Sequence, residues 1–161
     1  MTDYKHNELY RYDAKSQTFD HVPGQPRVLV CGGRDWLDHG AVYHELGLIA
    51  EQRGWITVIN GGNKSGADRF AREWAAATYH GLVTIEAQWD EYGLAAGPIR
   101  NSQMLISTRP NHVLAFPSPK RGLTGTGTGD MVMKSLKEGL PVRVVYANGD
   151  VKNMQPEESL F

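Results

Sequence analysis

From residue 27 onward, short apolar runs alternate with segments whose apolar positions repeat at helical spacing. Residues 27–31, Arg-Val-Leu-Val-Cys, end at Gly32-Gly33 and predict a buried strand followed by a tight turn. Residues 38–51 follow as a helix with Val42, Leu46 and Ile49 on one face. The run 55–59 predicts a second strand, again ending in glycines, Gly61-Gly62. Ala67, Phe70, Ala71, Trp74, Ala75 and Thr78 then recur as one helical stripe, the clearest in the chain. Gly81 is expected to stop that helix, and 82–85 to form a third strand. A loop over 88–97 leads to a helix from Pro98 to about Ser107, with proline in the first turn where its missing N–H is no loss. Residues 111–116 predict a fourth strand, 117–129 a Gly/Thr/Pro-rich loop, and 130–138 a short helix capped by Gly139. Residues 141–146 predict a fifth strand, and the polar end of the chain leaves room for a small edge strand.

Strand–helix alternation with short links implies a parallel sheet with helices on both faces. The expected class is therefore α/β, a Rossmann-like three-layer sandwich with a mostly parallel central sheet of about five strands. Residues 1–26 are polar, Tyr-rich and end in Val-Pro-Gly-Gln-Pro, so they read as an arm before the domain. The domain is expected over 27–147 and a polar tail over 148–161.

Composition narrows the function by exclusion. The charges, 17 Lys+Arg against 18 Asp+Glu, lack the strong basic excess of a nucleic-acid footprint. The one cysteine, Cys31, rules out an intrachain disulfide and a multi-thiolate zinc site. His39 and His44, with Glu45 beside the second, do not have zinc-protease spacing, so no metal site and no cofactor is expected. The absence of a long apolar run or a signal-like N-terminus makes a cytoplasmic, membrane-free protein the expectation.

In a parallel sheet every strand's carboxyl end lies at one edge, where ligands bind near a switch in strand order. Four loops are expected there: Gly32-Gly33-Arg34-Asp35, Gly61-Gly62-Asn63-Lys64-Ser65-Gly66-Ala67-Asp68, Gly97-Pro98-Ile99-Arg100-Asn101, and Gly125-Thr126-Gly127-Thr128-Gly129-Asp130. Glycines let backbone N–H groups approach a phosphate, and a following helix start favours an anion. Any one such loop is explained by a tight turn alone; several aimed at one edge point to a ligand. Ser65 to Asp68 fits a capping box, which leaves room for a ligand above the same helix end. Lys64 is either a phosphate contact or an ordinary exposed lysine. Arg100 falls in the predicted first turn of its helix, where a cation is unfavourable, so a carboxylate such as Asp35 or Asp68, or a bound phosphate, should offset it. Asn101 either bonds a ligand or caps a neighbouring loop. Trp89 and Tyr92 either stack on a base or close their loop by core or lid packing, the latter being favoured. Cys31 is expected to pack at its strand end.

The series Val-Leu-Val-Cys-Gly-Gly-Arg-Asp, Asn-Gly-Gly-Asn-Lys-Ser-Gly-Ala-Asp, Ala-Gly-Pro-Ile-Arg-Asn-Ser-Gln-Met and Gly-Thr-Gly-Asp-Met resembles the YspA-like, YpsA-related branch of the SLOG superfamily over roughly 27–145. That resemblance implies a Rossmann-like nucleotide-binding fold, related to the "lonely guy" phosphoribohydrolases, the DNA-processing protein DprA and molybdenum-cofactor carriers. It also implies nucleotide-derived ligands, NAD-derived ones included, and a homodimer or higher homo-oligomer. Arg100 resembles the arginine that the phosphoribohydrolases use after their third strand. Their catalytic glutamate falls on Met131, with Asp130 one residue early. A one-residue slip turns a side chain by about 100° at about 3.6 residues per turn.

Two functional readings follow. One is a sensor or binding module for a phosphate-bearing nucleotide or a nucleotide-derived, ADP-ribose-like ligand. The other is a nucleotide N-glycosidase, with Arg100, Asp68 and Asp130 as its catalytic candidates. A nucleic-acid role by analogy with DprA is disfavoured by the near-neutral charge.

Overall fold

The computed structural model describes residues 11–13, 18–20 and 25–156. Strand β1 (Arg11–Asp13) pairs antiparallel with β2 (Thr18–Asp20). These strands fall within residues 1–26, the segment expected to be an arm; its tyrosine side chains lie outside the described residues.

The domain proper runs β3 (Arg27–Gly32), α1 (His39–Arg53), β4 (Thr57–Asn60), α2 (Ala67–Ala77), β5 (Gly81–Thr84), α3 (Trp89–Tyr92), a 3-10 turn over Gly93–Ala95 and α4 (Ala96–Thr108). It continues as β6 (His112–Phe116), α5 (Gly127–Lys137), β7 (Val142–Val145) and β8 (Val151–Met154). The sheet order is β5-β4-β3-β6-β7-β8, parallel except for the final strand. The edge strand β8 makes the sheet six-stranded and carries it past residue 147.

Alternation within the strands builds the three layers, because successive side chains point to opposite faces. Val28 and Val30 face α1 and α2, packing with Val42, Leu46 and Trp74. Leu29 and Cys31 face α4 and α5, packing with Met104, Met131 and Val132. The chain winds outward from β3 to β5, crosses back through α4, and winds the other way from β6. The switch point lies between β3 and β6.

Three local expectations need correction. The α2 helix ends at Ala77, with Tyr79 in the left-handed region at φ 58°, and Gly81 opens β5 instead of stopping the helix. A Cβ on Gly81 would lie 2.5 Å from both Thr57 Oγ1 and Trp55, so close packing requires glycine there. Ser65 does not cap α2: the N-cap is Gly66, and Ser65 Oγ donates to Arg34 O at 3.0 Å. Helix α4 begins at Ala96, so Arg100 lies beyond its first turn, and the dipole argument does not apply to it.

Candidate functional site

Loop chemistry at the carboxyl edge starts from close packing. Residue 32 ends β3 against the start of α2 and the end of β6; a Cβ there would sit 2.5 Å from Ala67 Cβ and 2.6 Å from Phe116 O. Gly33 N donates to Phe116 O at 3.0 Å, so the first loop is pinned to the strand across the switch point. Asn60 shapes the second loop: its Oδ1 accepts from Gly62 N at 2.9 Å and from Arg72 Nη1 at 3.0 Å. Arg72 Nη2 also donates to Asn63 O at 2.6 Å. In the fourth loop, Thr126 caps α5 by accepting from Gly129 N at 3.0 Å, and its hydroxyl donates to Leu123 O at 2.7 Å.

These loops and the start of α4 enclose a cleft of about 590 Å³ at the switch point, within the usual size range of ligand pockets. Of the sequence-selected residues, Gly32, Gly33, Arg34, Gly61, Asp68, Arg100, Asn101, Gly125, Thr126, Gly127, Thr128 and Asp130 line it. Gly62, Lys64, Gly66 and Gly129 stand outside its lining. Lys64 is exposed. Gly66 packs against the first loop and Gly129 against Leu123 O, so both serve the backbone.

Arg100 is nine-tenths buried and lies against the backbone of Gly61, where a Cβ would collide with its guanidinium. Its Nη1 donates to Gly61 O and its Nε to Asn101 Oδ1 at 3.0 Å. No carboxylate forms an ion pair with it among the described residues. Burial lowers its pKa, and Asp68 opposes that shift through space. Asn101 is a buried bracket: its amide donates to Gly127 O at 3.2 Å and to Asp130 Oδ2 at 3.0 Å. Of the two sequence alternatives for Asn101, the capping one describes these bonds. Asp130 Oδ2 also pairs with Lys134 Nζ at 3.0 Å, so this carboxylate ties α4 to α5.

Asp68 is buried in the cleft wall and accepts from Asn63 N at 3.2 Å. Burial raises its pKa to about 6 against the opposing pull of that bond, Arg100 and Arg72. Cys31 packs at its strand end as expected, and burial, with Asp68 adding to it, holds the thiol protonated. Met131 is fully buried in the core, so its side chain points away from the cleft while Asp130 faces it.

Sequence reasoning passed over Ser118, Arg121, Leu94 and Met104, all of which line the cleft. Ser118 Oγ donates to Asp35 Oδ2 at 2.8 Å and accepts from Arg121 N at 3.0 Å. The one sequence signal for Ser118 and Arg121 was position in the loop after β6. Trp89 and Tyr92 are about half exposed, so neither is buried in the core, and the Trp89 ring edge packs over Gly97.

Residues 26–92 match the model of the YspA, cpYpsA-related SLOG family. The match takes in the first two loops; Arg100 and the fourth loop lie beyond it. A comparison with curated proteins gives no match. No described helix is long and apolar enough to cross a membrane. With this fold and this loop arrangement, the chain is similar over residues 26–92 to the YspA, cpYpsA-related SLOG family, a family that suggests nucleotide-related binding or processing.

Proposed function

We propose that the cleft binds a phosphate-bearing nucleotide or nucleotide-derived ligand, ADP-ribose-like ones included, as a sensor or binding module. The observation that carries this reading is Arg100. A guanidinium has five N–H donors and stays charged. This one is buried in the cleft wall with two donors placed on neutral oxygens and no carboxylate partner among the described residues. A buried, unpaired charge is unfavourable, and a phosphate is the partner a guanidinium fits in bidentate fashion. The first-turn amides of Gly127 and Thr128 flank the same cleft and have no helical acceptors, so they add to the favourable field for an anion. Gly32, Gly33, Arg34, Gly61 and the 125–128 loop supply the remaining contacts.

Calorimetric titration of the full chain with AMP and ADP-ribose tests this. At least one should bind, and Arg100→Lys should weaken it about ten-fold or more, since lysine offers a point charge in place of a fork. Saturable binding with no released base on chromatography supports a binding module. No heat from either compound in a folded sample would remove the reading.

Asp68 favours a second reading, N-glycosidic cleavage. A buried carboxyl near pH 6, in the same cleft as Arg100, suits proton transfer at neutral pH. Asp130 is the weaker candidate because Asn101 and Lys134 already occupy its Oδ2. Released base that disappears in Asp68→Asn supports cleavage; unaltered release in that variant removes Asp68 from it.

A further inference from the structure

Residues 88–95 form an exposed span, in which α3 has no buried residue. Yet this span places two large apolar side chains in the cleft lining: Trp89, 45% exposed, and Leu94, 95% exposed. Trp36 and Trp55 donate their indole N–H groups to the carbonyls of Asp38 and Tyr79 at 2.7 and 2.9 Å. Among the described residues Trp89 makes no such bond. Its ring edge rests over Gly97, where a Cβ would come within 3.3 Å of Cη2. The guanidinium of Arg34 stands over its ring, 5.8 Å from the centroid.

An anion site alone has no use for this arrangement. Arg100 and the amides of the 125–128 loop suffice for a phosphate, whereas the half-exposed indole, with Arg34 over its ring, still leaves apolar area in water that a flat group would cover. Pro98, at the start of α4, continues the apolar wall, and Arg100 follows two residues later. The cleft therefore joins a charged wall to an aromatic one. Among the described residues the core does not cover the indole, since every residue of the span is exposed.

We propose that Trp89 is the stacking platform for a heteroaromatic ring carried by the ligand, with Arg34 beside that ring and the phosphate at Arg100. The base of the nucleotide ligand is thereby given its place in the cleft. This rests on the phosphate-site reading above. Base–aromatic stacking tolerates any base, because every base has a π-face.

The test compares AMP with ribose 5-phosphate, which keeps the sugar and phosphate and lacks the ring. Affinities are measured by calorimetry on the full chain, on Trp89→Phe and on Trp89→Ala. AMP should bind about ten-fold or more tightly than ribose 5-phosphate to the unaltered protein. Trp89→Ala should bring that ratio close to one, and Trp89→Phe should keep most of it. A ratio near one in the unaltered protein, or a ratio preserved in Trp89→Ala, overturns the proposal while leaving the phosphate site standing. Joint loss of both affinities in Trp89→Ala overturns it too, since Trp89 would then be structural. Binding of neither compound to the unaltered protein overturns the platform, and silence of ADP-ribose as well removes the phosphate site with it.

Discussion

Asp68 shows how far one residue's chemistry depends on where it ends up. In sequence it is a polar residue at a helix start, an ordinary place for a carboxylate. In the fold it is buried, with its pKa raised from 3.8 to about 6 by desolvation. The folded state therefore holds this proton more tightly than the unfolded chain does. The linkage sign follows: as pH rises from about 4 to about 6, the unfolded chain releases the proton first and stability falls. At 1.36 kcal/mol per unit, the loss is at most about 3 kcal/mol. Burial of His80 and His112 lowers their pKa values, so their contributions grow with pH up to about 6.5 and act oppositely. The clean measurement is therefore a difference. Denaturant unfolding of Asp68→Asn and the unaltered protein from pH 4 to 7 should show the variant gaining relative stability through the window and levelling off above about pH 6. A constant difference over that range would mean that Asp68 titrates at its ordinary value.

At the scale of elements, helix α5 is held by buried Met131 and Val132 and started by a glycine–threonine loop. Thr126 accepts from Gly129 N and donates to Leu123 O, which ties the cap to the loop before it. Thr126→Ala should destabilise the protein by about 1 kcal/mol, the usual worth of such a cap, and Thr126→Ser should recover most of it. Gly129→Ala should cost more than the cap, because its Cβ would meet Leu123 O and the backbone must shift. Urea midpoints report both effects, with an unchanged slope marking a change in stability alone. Equal midpoints for Gly129→Ala and the unaltered protein would refute the packing argument. The early start of α5 at Gly127 has the same origin: glycines suggest a loop by propensity, and the threonine cap with its tertiary contacts recruits them into the helix.

For the whole molecule, the decisive fact is that β3 and β6 are neighbours. Their adjacency brings the loop after residue 32 together with the loop after residue 116, and the crossover helix α4 delivers Arg100 between them. Long-range pairing also secures the far side of the sheet. Glu45 of α1, itself buried, takes Arg143 of β7 in a two-bond fork at 2.7 and 3.2 Å. A ligand held by several such elements stabilises the fold as a unit. At a concentration 100 times its Kd it should add about 2.7 kcal/mol, which corresponds to roughly 5–11 °C in Tm for a domain of this size. Thermal melts with saturating AMP should show that rise, and Arg100→Lys at the same AMP concentration should show a smaller one. An equal rise in both proteins would place the binding site elsewhere.

The sequence alone determined the alternation of strands and helices, the apolar stripe of α2, the packing role of Cys31 and the glycine loops at strand ends. Those features are local: side-chain periodicity and turn chemistry act over a few residues, so they are legible without a partner. The signature of the first two loops was equally legible, and the family match covers them. Several features were decided by tertiary structure, because each depends on groups far apart in the chain. The strand order, the burial of Arg100 against Gly61 O, the bracket from Asn101 to Asp130, the Glu45–Arg143 fork and the raised pKa of Asp68 are of this kind. The capping box at Ser65 failed for the same reason. The neighbouring loop offered the Ser65 hydroxyl a carbonyl from residue 34, and packing of Gly66 against that loop put the cap one residue later.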